Sequence, residues 1–144
     1  MLQRRPCWQC QLSKFLFLAS HTPFAYGSFD CGLFVSDAIE SMTGTDLAAS
    51  FRNKYRSRAE LLPLIRDYAG SPSILALTER IATDYQMHEI PILRAQRGDL
   101  AVIRRAKDYS LGLIDLSGRQ IVIALARGIG RVPISRAFRT WKVG

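Results

Sequence analysis

The sequence predicts an α+β domain in which N-terminal helices pack on one face of a C-terminal antiparallel β-sheet. Apolar residues recur at helical spacing through residues 1–90, and the period turns strand-like after Pro91. The 144 residues are 48% hydrophobic and 22% charged, which suits one domain over 1–144, mainly helical to residue 90 and mainly β beyond it. A chain of this length buries roughly 68% of its unfolded surface, so neither disulfides nor a structural metal are needed to hold it together.

Leu12, Phe15, Leu16 and Ala19 share a helix face, and His21-Thr22-Pro23 closes that helix, which should span about residues 8–20. A second stripe runs Cys31, Phe34, Val35, Ala38, Ile39, Met42, with Asp30 as N-cap and Gly44 as C-terminal cap. Thr45-Asp46 suits a short turn through Phe51. Ser57 then caps a helix carrying Leu61, Leu62, Leu64, Ile65 and Tyr68 and ending at Gly70, with Pro63 predicting a kink or a start near Leu62. Ser71-Pro72-Ser73 opens a fourth helix, Ile74 to about Asp84, with Pro72 in its first turn. Strands are expected at 99–104, 111–116 and 121–125, with Ser117-Gly118 turning the hairpin and short β-like pieces at 131–134 and 139–143. Gly128-Ile129-Gly130 lacks phosphate-loop spacing and reads as a turn between strands.

Several function classes fall away on composition. No apolar run reaches the ~18–20 residues that span a bilayer, so membrane insertion is not expected. Lys14 interrupts the apolar run after Arg4 and Arg5 and no small-residue cleavage pattern follows, so the chain is expected to stay in the cell that makes it. Cys7, Cys10 and Cys31 are read as reduced thiols; Cys7-Trp8-Gln9-Cys10 lacks the further ligands a metal would require, and neither metal nor cofactor is expected. The net charge of +8 lies wholly in the last third: residues 1–93 balance nine Lys/Arg against nine Asp/Glu, while 94–144 set eleven against three. Such an excess suits an acidic partner, an anionic surface or nucleic acid. Nucleic acid is the weakest of these, since only Tyr109, Phe138 and Trp141 interleave with the arginines.

Asp30-Cys31-Gly32 is the sharpest chemical feature. A cysteine in a helix's first turn faces free N–H groups and the positive end of the helix dipole, which favours the thiolate. The plainer alternative is a small buried hydrophobe opening the stripe Phe34, Val35, Ala38. His21 and His88 are the two histidines able to serve as a base, and neither falls on a strand expected to face Cys31. Asp99 and Asp108 are too acidic for that task unless buried.

The segment Pro23-Phe24-Ala25-Tyr26-Gly27-Ser28-Phe29-Asp30-Cys31-Gly32-Leu33-Phe34-Val35 resembles the nucleophile motif of NlpC-type papain-like cysteine peptidases, and Arg97-Gly98-Asp99-Leu100-Ala101-Val102 is similar to the family's Pro-Gly-Asp-Leu-Val-Phe strand opening. Tyr26-Gly27, Asp30-Cys31, Met42-Thr43-Gly44 and Tyr55-Arg56-Ser57 resemble a divergent branch from bacteriophage and prophage tail modules. The resemblance implies an NlpC-type, papain-like α+β fold with Cys31 at the nucleophile position. It also shows a departure. Where active members carry His-Val-Gly-Ile, this chain reads Ser110-Leu111-Gly112-Leu113, placing Ser110 at the histidine position and Val122 at the orienting position. A serine hydroxyl does not accept a proton near neutral pH as imidazole does.

The resemblance thus implies a catalytically degenerate domain in a phage tail tip or baseplate, made in the host bacterial cytoplasm and carried in the virion. Arg104, Arg105 and Arg131 are the candidate docking patch for neighbouring tail proteins. The rival expectation is an active peptidoglycan-cleaving amidase or endopeptidase using Cys31 with a non-standard base. A nucleic-acid-binding module is the weaker alternative.

Overall fold

The computed structural model describes residues 1–144. Four helices come first: α1 (Trp8–Ala19), α2 (Cys31–Thr43), α3 (Arg58–Ala69) and α4 (Ile74–Asp84). Six strands follow: β1 (Glu89–Ile90), β2 (Leu100–Arg104), β3 (Tyr109–Ile114), β4 (Gln120–Leu125), β5 (Gly128–Pro133) and β6 (Ala137–Trp141). They form one antiparallel sheet in the order β1-β6-β2-β3-β4-β5. The fold is the α+β arrangement expected, and no helix is long and apolar enough to cross a membrane.

The helix ends follow local chemistry. Asp30 caps α2 by accepting from the Leu33 N–H at 3.0 Å, and Gly44 closes it at φ 80°, a left-handed conformation costly for residues with a Cβ. Ser57 accepts from the Glu60 N–H at 3.2 Å while the Glu60 carboxylate accepts from the Arg56 N–H at 2.9 Å, a reciprocal clasp that starts α3 at Arg58. That clasp overrides Pro63, which lies inside α3 instead of delaying its start. Ser73 caps α4, so Pro72 precedes the cap and is not in the helix's first turn.

The strands are apolar on both faces because both are covered. Leu100, Val102, Leu111, Leu113, Val122 and Ala124 join Leu12, Phe34, Ile39 and Ile65 in the main core beneath the helices. Ala101, Ile103, Ile114, Ile121 and Ile123 form a smaller cluster on the reverse face, packed against Ile92, Ala95, Val132 and Ile134. Ile92 and Ile134 belong to short 3-10 turns, Ile92–Arg94 and Ile134–Arg136, which had no distinct sequence signal. Gly128-Ile129-Gly130 is not a turn: it opens β5, pairing with Leu125, Ala124 and Ile123, and the hairpin turn is Ala126-Arg127. β5 accordingly starts earlier than 131, and Ile134 leaves the strand. β3 likewise begins at Tyr109 and ends at Ile114.

Candidate active site

The loop before α2 is built around Asp30. Its carboxylate accepts from the Leu33 N–H, from the Gly27 N–H at 3.2 Å and from the Tyr55 hydroxyl, and the residue is buried. Gly27 has φ 86°, and a Cβ there would stand 2.0 Å from the Tyr55 carbonyl oxygen, so the loop and the Tyr55 backbone meet too closely for any side chain. Burial, and then the bond to Asp30, push the Tyr55 phenol well above its usual range, which keeps it a donor. These contacts place Cys31 as the first residue of α2.

Cys31 is a free thiol lining a cavity of about 320 Å³ between α2, α3, α4, the start of β3 and the end of β4. Ser110 and Leu111, from β3, line the same cavity. Burial pushes the thiol up from its ordinary value; the Leu111 N–H, the Ser110 hydroxyl and the Arg105 charge oppose it, and burial wins. The thiolate favoured by the first-turn position is therefore not the resting form.

Ser110 lies on β3 beside Cys31, whereas Val122 is fully buried in the main core opposite Leu113 and does not line the cavity. From the same strand, Ala124 and Leu125 do. No histidine lines it. His21 is exposed past the end of α1, its Nδ1 3.0 Å from the Phe17 carbonyl oxygen; His88 is exposed beside β1 at the far side of the sheet. Asp99 is spent on structure, accepting from Arg4 at 2.9 Å, the Gln96 N–H at 2.9 Å and the Val143 N–H at 3.1 Å. Asp108 reaches the rim but is ion-paired with Arg58.

The arginines divide. Arg105 lines the cavity mouth, Arg104 stacks over Phe138 at 4.2 Å, and Arg131 lies on β5, 3.6 Å from Asp115. Cys7 and Cys10 are exposed free thiols at the start of α1, and no group of three or more His, Cys, Asp or Glu side chains is arranged to hold a metal ion. The residue that sequence reasoning missed is Tyr55, quoted there as part of a recurring motif but not as the partner of Asp30.

Cys31 opens a helix that packs against an antiparallel sheet. The crystal structure of the NlpC/p60 domain of the peptidoglycan hydrolase SagA is similar over 94% of this chain and 98% of that one, with a TM-score of 0.57 at 14% sequence identity. The fold is that of an NlpC/p60-like, papain-type domain. Residues 3–143 match the family described as "Domain of unknown function (DUF6950)", and the chain belongs to that family. No curated protein matches it.

Proposed function

We propose that this chain is a catalytically degenerate papain-like domain serving as a structural component of a phage or prophage tail tip or baseplate. The observation that carries the first half is that Cys31 opens onto a cavity which Ser110 also lines and no histidine does. Cysteine peptidases need a base to form the thiolate and an acid to protonate the leaving amine. Ser110 supplies neither near neutral pH, and burial holds the thiol protonated. The tail assignment is supported by the motif resemblance around Tyr26-Gly27, Met42-Thr43-Gly44 and Tyr55-Arg56-Ser57, and by the basic C-terminal third, suited to acidic neighbours.

Cell-wall zymography with the wild-type chain and Cys31→Ala tests the first half. No clearing from either protein is expected; clearing by the wild type that Cys31→Ala abolishes would restore the amidase or endopeptidase reading. Charge reversal tests the second. Arg104→Glu with Arg105→Glu, and separately Arg131→Glu, should each yield folded protein, with at least one failing to enter particles. Intact particles from both would remove the docking patch.

A further inference from the structure

The cavity at Cys31 reaches well past the thiol and is lined mostly by hydrocarbon. Of its 29 lining residues 21 are hydrophobic, and Phe51, Leu62, Leu77 and Ile81 carry it down between α3 and α4. Protein interiors are normally close-packed, so an opening of this size lined mainly by hydrocarbon stands out. Three of the polar side chains along the wall are already engaged. Thr78 donates to the Ile74 carbonyl oxygen at 2.7 Å, Asp30 accepts from Tyr55 and two backbone N–H groups, and Arg58 pairs with Asp108. Of the two arginines lining the cavity, Arg105 has no carboxylate partner, and it sits exposed at the mouth.

We propose that this cavity binds a small anionic amphiphile, with an aliphatic chain between α3 and α4 and a carboxylate head at Arg105. A hydrocarbon chain needs only apolar area, and the volume falls at the small end of the ~300–1,000 Å³ typical of small-molecule sites. A guanidinium at the rim of an apolar cavity fixes a carboxylate by charge-assisted hydrogen bonds while its tail stays out of water. The assignment is independent of whether the domain resides in a tail and of whether it cleaves anything.

The test is calorimetric titration of the whole chain with decanoate below its micelle-forming concentration, with decanol as the uncharged control. Saturable one-to-one binding of decanoate is expected. Arg105→Ala should weaken decanoate about tenfold or more and leave decanol unchanged. Leu62→Trp and Ile81→Trp, both at partly exposed positions of the wall, should abolish binding of both compounds while circular dichroism reports a native fold. No saturable binding by the wild-type chain, or binding that survives both folded tryptophan variants, overturns the site. Decanoate affinity untouched by Arg105→Ala overturns the head-group assignment. Because the readout is binding, a failure here leaves the zymography result unaffected, and clearing in zymography leaves this one unaffected.

Discussion

Cys31 and Tyr55 show how a single environment sets both chemistry and stability. Burial raises the Cys31 thiol, so the folded chain keeps its proton at a pH where the unfolded chain, titrating near ~8.5, has lost it. The folded state then binds more protons, and this contribution to stability is complete below ~8.5 and declines as pH rises through the window between the two values. Urea unfolding followed from about pH 7.5 to 9.5 should show a decline for the wild type that is shallower in Cys31→Ala; Tyr55 does not enter this window because its ordinary value is near 10. Alkylation in the same range should label Cys7 and Cys10, both exposed, well before Cys31. Rapid labelling of Cys31 near pH 7 would mean an activated nucleophile. Tyr55→Phe removes one of three donors to a buried carboxylate and should cost about 1.5–3 kcal/mol in urea unfolding, since a hydrogen bond to a charged, buried group is lost without replacement. A loss under ~0.5 kcal/mol, the range of a neutral surface change, would mean that Asp30 is held without it.

At the scale of the elements, the ends of α2 and α4 were legible because capping is local: Asp30, Gly44 and Ser73 act within a few residues of themselves. α3 was half legible. Ser57 and Gly70 mark its ends, but Pro63 carries the opposite signal, and the Arg56-Glu60 clasp together with the burial of Ile65 outweighs it. β1 was not legible, since two residues have no periodicity and owe their pairing to Thr140 and Trp141, about fifty residues away. The glycines at 128 and 130 read as a turn for a similar reason: composition does not reveal that β4 supplies their partners. Pro63 is exposed and removes a backbone donor in the interior of α3. Pro63→Ala restores the bond to the Ala59 carbonyl, and against the ~3 kcal/mol penalty of an interior proline stands ~1 kcal/mol of added freedom in the unfolded chain. A net gain of about 1–2 kcal/mol is expected, read as a raised urea midpoint with an unchanged slope. No gain would mean that α3 bends at this position and already does without that bond.

Across the whole molecule, the site was legible where a motif carried it, and not where distant segments meet. Cys31 and Ser110 could be named from the motifs that resemble a known family, whereas the cavity wall comes from α3 and α4, whose approach to the adjoining ends of β3 and β4 has no local signature. The same holds for the closure of the chain on itself, which turns on Arg4. Its guanidinium donates to the Val143 carbonyl oxygen at 2.7 Å, the Arg97 carbonyl oxygen at 3.0 Å and Asp99 at 2.9 Å, and it lies 4.2 Å from the Trp8 ring centroid. Both ends of the chain and the approach to β2 are thereby joined in one cluster. Burial pulls the Arg4 guanidinium below its ordinary value while Asp99 opposes it, so the charge is held by its partners and not by water. Arg4→Ala leaves the Asp99 carboxylate, 1% exposed, with backbone donors alone. The expected loss is about 2–4 kcal/mol in urea unfolding, below the full figure for breaking a buried pair because Arg4 keeps 17% of its side chain exposed. A clamp differs from a local contact in what else it moves. In hydrogen exchange, amides of α1 and of β6 should lose protection together in Arg4→Ala, while those of α4, which Arg4 does not touch, should fall only by the global change. Loosening confined to residues 1–8 would reduce Arg4 to a tether for the N-terminal segment and leave the sheet to close without it.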